Sequence, residues 1–381
     1  LTTTDLRARA RIDLGALRHN FGVVRDAVGT EVEICAVVKA DGYGHGLWDC
    51  MSELVRTGVD RVAVATAEEA VAAREVSSDT PIVILGVLTR RELEVAVSVG
   101  AEISVWDEAF LVDVADVSLR KGRTTRIHLK LDSGMGRLGS RDTDLVARLA
   151  DVAASSDGLE LEALWTHFAT ADELEGEGEA FFGDQLDRFL EVGQRLKASH
   201  PDLMLHAANS AALLREPATH LDMVRPGVAL YGLDPFGGDP ADRDLRPVMT
   251  LLSGVGAVRV VEPGDSVGYG RKWRAERPTE IATVPIGYGD GYRRGLSGRS
   301  EVIIGGTRFP VAGTVSMDNI AVDLGPPGTS GVSAGHEVIL IGGTSEPILA
   351  EDLARILDTI NYEITCGISP RVPREAHGAS E

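Results

Sequence analysis

Residues 34–39 read Ile-Cys-Ala-Val-Val-Lys, a short apolar run that ends in a charge. Apolar side chains on successive residues describe a strand covered on both faces, the condition of a parallel sheet flanked by helices. Seven similar runs follow, at 61–66, 81–86, 102–106, 125–132, 159–168, 203–210 and 223–232. Helical spacing fills the intervals. Ahead of the first run, Leu14, Leu17, Phe21, Val24 and Val28 fall on one face, with Asp13 placed to cap the first turn and Gly29 to stop the last. Thr66 with Glu69, and Thr89 with Glu92, fit the reciprocal S/T-x-x-E cap directly after a strand. Eight strand–helix units predict an α/β fold, an N-terminal (β/α)8 TIM-like barrel over residues 11–233. A doubly wound open sheet gives the same alternation, because periodicity does not reveal closure.

Beyond residue 233 the pattern changes. Residues 234–246 are rich in Gly, Pro and Asp and read as a linker. Short β-rich runs separated by turns follow at 254–261, 280–285, 300–304, 310–314 and 336–341, with helical spacing returning near 350–360. These predict a C-terminal, mainly antiparallel β domain over 234–381, joined by residues 1–10. The acidic stretch 173–179 reads as a solvated loop.

Composition narrows the function classes. The 381 residues carry 38 Lys plus Arg against 58 Asp plus Glu, a formal net charge of −20, with 44% hydrophobic residues. That is an ordinary globular balance, and its sign argues against nucleic acid or an anionic membrane as main partner. A local basic pocket for a small anion stays open. Cys35, Cys50 and Cys366 are far apart and form no C-x-x-C, so neither a zinc site nor a disulfide framework is expected. No histidine pair four apart suggests a metal, and no G-x-S-x-G or P-loop appears. No apolar run approaches the ~18 residues of a membrane span. The opening Leu-Thr-Thr-Thr-Asp lacks the basic and apolar parts of a signal peptide, so a cytoplasmic protein is expected.

Lys39 ends the first barrel strand and precedes Ala-Asp-Gly-Tyr-Gly-His-Gly. A lysine there sits at the C-terminal mouth of a barrel, where active sites are built. Desolvation lowers a lysine's pKa and makes its amine a usable nucleophile or base. A lysine merely emerging into solvent is the plainer alternative, and the adjoining glycines weigh against it by letting backbone approach a ligand closely.

The string AVVKADGYGHG (36–46) resembles the cofactor-lysine motif of the alanine racemases. The resemblance extends through HLKLDSGMGRLG (128–139), WTHFATADE (165–173), HAANSAA (206–212), MVRPGVALYG (223–232), VGYGRKW (267–273), PIGYGDGY (285–292), AGTVSMDN (312–319) and NYEI (361–364). It implies a pyridoxal 5'-phosphate enzyme that interconverts L- and D-alanine and supplies D-alanine for peptidoglycan. A racemase of broader specificity, or one preferring serine, is the nearest alternative. Lys39 would carry the cofactor and act as one base. Tyr269, donated by the partner subunit of a homodimer, would act as the other. Inverting a carbon requires returning the proton on the opposite face, which two bases supply.

The same resemblance assigns cofactor contacts to Tyr43, His167, Asn209, Ser210, Arg225, Gly227 and Tyr362. Arg225 would face the ring nitrogen, where a guanidinium donates a hydrogen bond without giving up its proton. Arg137, Met317 and Asp318 would shape the substrate pocket, and Asp172, Tyr288 and Arg294 its mouth. Lys130 matches a lysine often carbamylated in the family, an anion that would pair with Arg137. Thr314 and Ser316 stand where the family often has Arg and Cys, which alters the charge at the mouth. Residues 134–139 also spell G-x-G-x-x-G, a dinucleotide fingerprint. Their place at the fifth strand of a regular series favours the racemase reading.

Overall fold

The computed structural model describes residues 7–344 and 346–379; residues 1–6 of the predicted N-terminal segment lie outside them. Asp13 sets the first helix boundary: its Oδ1 accepts from the Ala16 N–H at 3.0 Å, and the helix Leu14–Val28 ends at Gly29, whose φ is +78°. The chain then divides into two units, one spanning Leu17–Leu230 and the other formed by residues 7–16 with 231–379.

The first unit is a closed barrel of eight parallel strands. With β1 (Ala8–Asp13) in the other unit, these are β2 (Glu33–Val37), β3 (Arg61–Val64), β4 (Ile82–Ile84), β5 (Glu102–Val105), β6 (Thr125–Lys130), β7 (Leu159–Trp165), β8 (Met204–His206) and β9 (Met223–Val224). Closure comes from β2 pairing with β9, Glu33 beside Met223 and Ile34 beside Val224. The open sheet is thereby excluded. Both predicted reciprocal caps form, Thr66 with Glu69 and Thr89 with Glu92. The last two strands are far shorter than the apolar runs implied, because helix Ser210–Arg215 starts within one run and Pro226 with the 3-10 turn Val228–Tyr231 ends the other. The acidic stretch is only partly a loop. Glu177 and Glu179 lie in the first turn of the helix Gly176–Ser199, where negative charge complements the helix dipole.

The second unit is built on a nine-stranded sheet: β1, β10 (Met249–Gly254), β11 (Ala257–Val261), β14 (Thr279–Val284), β15 (Glu301–Ile304), β16 (Thr307–Ala312), β17 (Ile320–Gly325), β18 (Glu337–Ile341) and β19 (Arg374–His377), with β12 (Ser266–Val267) and β13 (Trp273–Arg274) paired apart. Every pairing is antiparallel except β1 with β19. Residues 11–13 therefore belong with this sheet. The alternation Arg-Ala-Arg-Ile-Asp in β1 is that of a strand with unlike faces. Val261, Val267, Ala275, Ile281 and Ala312 form a core here, with Trp273 against it. The stretch 234–246 is tied rather than loose: the Asp234 carboxylate accepts from Phe236 N, Gly238 N and Arg243 Nε.

Candidate active site

Lys39 lies two residues beyond β2 and opens a turn of opposite hand to an ordinary helix. Ala40 (φ 54°), Asp41 (φ 54°), Gly42 (φ 61°) and Tyr43 (φ 54°) are all left-handed. Each non-glycine in that basin costs roughly 1–2 kcal/mol, so surrounding bonds must hold the turn. Gly42 N–H donates to Val38 O and Gly44 N–H to Ala40 O, both at 2.9 Å. Asp41 Oδ1 accepts from Leu47 N at 2.8 Å and so tethers the turn to the next helix. His45 Nδ1 lies 3.0 Å from both Gly42 O and Tyr43 O. Glu69, the capping residue, reaches across to accept from Ala40 N at 2.7 Å. The lysine's backbone is thus clamped from two helices.

Five barrel strands converge on the same mouth. Arg225 follows β9 and is buried, at 3% exposure. Its Nη2 donates to Thr166 O at 2.7 Å and Ala207 O at 3.0 Å, and its Nη1 lies 2.8 Å from His206 Nδ1. Burial pushes this guanidinium down to about 10. Lys130, the last residue of β6, sits with Nζ 3.9 Å from the Trp165 ring centroid. Burial, then Arg225 and Arg137, push its amine down to about 7. His167 is driven well below the ordinary histidine range by burial and by Arg225, Lys130, Arg137 and Lys39. Four cations therefore share one basin in a chain of charge −20. Among the described residues no carboxylate ion-pairs with Arg225, Lys130 or Arg137.

This basin fits a phosphorylated anionic cofactor. Ser210 Oγ accepts from Gly227 N at 2.9 Å and Ala229 N at 3.2 Å, which leaves its hydroxyl hydrogen to donate outward. A Cβ on Gly227 would stand 2.3 Å from the Tyr43 phenol oxygen, so only glycine allows that phenol so close. Asn209 caps the helix that carries Ser210, its Oδ1 accepting from Ala212 N at 2.9 Å. Asp172 is exposed beyond β7.

The G-x-G-x-x-G loop is closed to phosphate. Asp132 Oδ1 accepts from Gly134 N at 3.1 Å and Gly136 N at 2.9 Å, so these amides serve a carboxylate. The next helix begins only at Thr143, capped by Asp142. A dinucleotide motif needs those amides and an immediate helix N-terminus.

The remaining predicted residues lie in the β unit. Tyr269 is 72% exposed, between Gly268 and Gly270, both left-handed. Thr314 Oγ1 donates to Tyr269 O at 2.8 Å, which joins that loop to the 314–318 segment. Tyr288 N donates to Ser316 O at 3.0 Å and Gly289 N to Met317 O at 2.9 Å. Arg371 Nη2 holds Asp318 at 2.8 Å. Tyr269, Thr314, Ser316, Met317, Asp318 and Tyr288 thus form one cluster. Arg294 is exposed on a 3-10 turn, and Tyr362 lies in the helix Asn361–Cys366. Sequence reasoning left Asp41, His45 and Arg371 unassigned and gave Glu69 only its capping role. For Asp41 and His45 a signal existed, since both lie inside the quoted glycine-rich motif.

Comparison with known proteins bears on the whole chain. The family model for the alanine racemase N-terminal domain matches residues 12–235, and that for the C-terminal domain matches 248–376. The chain is similar to alanine racemase 2 of Caldanaerobacter subterraneus (38% identity, covering 96% of this chain and 94% of the relative). It is similar also to the alanine racemase of Symbiobacterium thermophilum (40% identity, 96% of both). Among solved structures it resembles the alanine racemase of Streptomyces lavendulae, with a TM-score of 0.92 and 35% identity, covering 99% of this chain and 98% of that one. The Bacillus anthracis enzyme with bound L-Ala-P gives a TM-score of 0.87 at 33% identity, covering 98% and 96%.

Proposed function

This chain belongs to the alanine racemase family, and on that premise we propose that it interconverts L- and D-alanine with pyridoxal 5'-phosphate, supplying D-alanine for peptidoglycan in the cytoplasm. The observation that carries the reading is the clamped Lys39 in a basin of three further cations, with Ser210, Tyr43 and Gly227 at one side of the same barrel mouth. When bound, the cofactor supplies an electron sink that acidifies the α-hydrogen of an attached amino acid. Everything else falls to the chain's own side chains.

Lys39 holds the cofactor and exchanges a proton on one face of the substrate carbon. Tyr269 exchanges it on the other. Arg225 presents a donor to the cofactor ring, and Arg137 faces the substrate. The amine of Lys130, pushed down to about 7, has a substantial uncharged fraction at neutral pH, the form that adds carbon dioxide. A carbamate there would pair with Arg137, and carbon-13-labelled bicarbonate would reveal it as a bound carbonyl resonance lost in Lys130→Ala. In this reading the barrel unit binds the cofactor, and the β unit offers Tyr269 to the partner of a homodimer. An exposed phenol beside exposed Tyr288 and Met317 suits a surface that a second copy covers.

The test is α-deuterium incorporation from each alanine enantiomer in deuterated water. In Tyr269→Phe the rate should fall on the order of a hundredfold for one enantiomer, while exchange from the other persists. Equal, negligible effects on both would remove the two-base assignment. The shared site has its own check: mixing Lys39→Ala with Tyr269→Phe, each strongly impaired in racemisation, should restore roughly a quarter of wild-type racemisation as hybrids form.

A further inference from the structure

Below the site, the barrel axis carries a line of polar side chains that the reaction as described leaves unused. His206 Nε2 lies 3.1 Å from His128 Nδ1, and His128 Nε2 lies 2.8 Å from Glu102 Oε2. Glu102 in turn receives Arg61 Nη1 at 2.7 and 2.6 Å. His206 and His128 are fully buried, and Glu102 is 4% exposed. The donors can be assigned by elimination. A guanidinium has hydrogens and no acceptor, so His206 Nδ1 facing Arg225 must be the bare nitrogen. His206 is kept neutral by burial and the Arg225 charge, so its hydrogen resides on Nε2 and points at His128 Nδ1. His128 Nδ1 is then the acceptor, its hydrogen sits on Nε2, and that hydrogen ends on the Glu102 carboxylate, which only accepts. Every bond runs one way, from Arg225 at the mouth to Glu102 at the floor.

We infer that Glu102 and His128 are positioning residues that hold His206 in its Nε2–H tautomer, so that its Nδ1 accepts from Arg225 and fixes the guanidinium that would face the cofactor's ring nitrogen. The opposite tautomer would set two donors face to face in a dry interior, where an unmade hydrogen bond is expensive. Arg225 has only neutral acceptors around it, so the carboxylate that orients it is the one at the far end of this line. The tautomer assignment stands on the donors and acceptors that face each ring nitrogen. Its effect on the reaction rests on the function proposed above.

Nitrogen-15 labelling of histidine in the loaded wild-type enzyme tests it, with His206→Gln and His128→Gln used only to assign signals. Two-bond correlations should show both rings neutral, each with hydrogen on Nε2 and a bare Nδ1. A hydrogen on His206 Nδ1 overturns the inference without any variant. In Glu102→Gln, whose amide can donate as well as accept, His128 should lose its single tautomer and the hold on His206 Nε2–H should weaken, Arg225 alone then opposing the other form. The kcat for alanine should then fall on the order of tenfold with KM little changed, and the cofactor's visible absorption should shift. Unchanged tautomers with an unchanged spectrum would overturn it. Correct tautomers in a wild type that exchanges no α-hydrogen would instead sink the racemase reading and leave this one standing.

Discussion

At Gly227 the space for one methyl group is already taken. A Cβ there would stand 2.3 Å from the phenol oxygen of buried Tyr43, which ends a strained left-handed turn. Gly227→Ala should therefore weaken cofactor binding on the order of tenfold or more, read by equilibrium dialysis, while far-ultraviolet dichroism stays native. Lys130 makes a pH prediction. Its amine is held at about 7 when folded against an ordinary 10.5, chiefly by burial and then by Arg225 and Arg137. Between those values the unfolded chain binds the proton and the folded chain does not, so stability should rise with pH from about 7 toward 10.5. Urea unfolding across that window, in carbon-dioxide-free buffer, should show the slope in wild type and lose it in Lys130→Met.

Two helix caps of identical chemistry have unequal consequences. Thr89 and Glu92 only satisfy each other and the helix they open. Glu69 serves Thr66 as well and also accepts from Ala40 beside Lys39. Thr89→Ala and Glu69→Ala should each lower stability by about 1 kcal/mol, yet only the second should reduce kcat, because only the second frees the turn that aims Lys39. Most elements were legible because their signals are local. The capping pairs, the run 34–39 and the stop at Gly29 all depend on neighbours a few residues away. Barrel closure was not legible, since the pairing of β2 with β9 joins positions nearly two hundred residues apart and leaves no periodic trace. β17 escaped as well, although its buried residues alternate strictly, Ile320, Val322 and Leu324. Among site residues, those within glycine-rich strings were readable, whereas Arg371 was not. Its grip on Asp318 exists only after the chain has folded.

The barrel interior is filled in an unusual way for its architecture. Where apolar layers are the rule, Arg61 on β3 ties Glu33 on β2, Glu102 on β5 and Glu162 on β7. Arg61→Met would remove the partner these three carboxylates share, leaving Glu102 to His128 and Arg126 and Glu162 to Arg126, and should destabilise the protein by roughly 3 kcal/mol in chemical denaturation. Burial alone would raise the Glu102 carboxyl, but the hydrogen bond from His128 and the charge of Arg61 outweigh it and hold it below the ordinary carboxylate range. Its contribution to stability is complete above the ordinary value of 4.5 and should drain away as pH falls below it, a loss that Glu102→Gln would not show. Hydration of ions weakens on heating, so the expense of having dehydrated this cluster shrinks as temperature climbs. A greasy replacement of the floor would therefore look best in the cold and give ground in the heat, and the crossing point of the two melting curves would measure how far the barrel depends on charge.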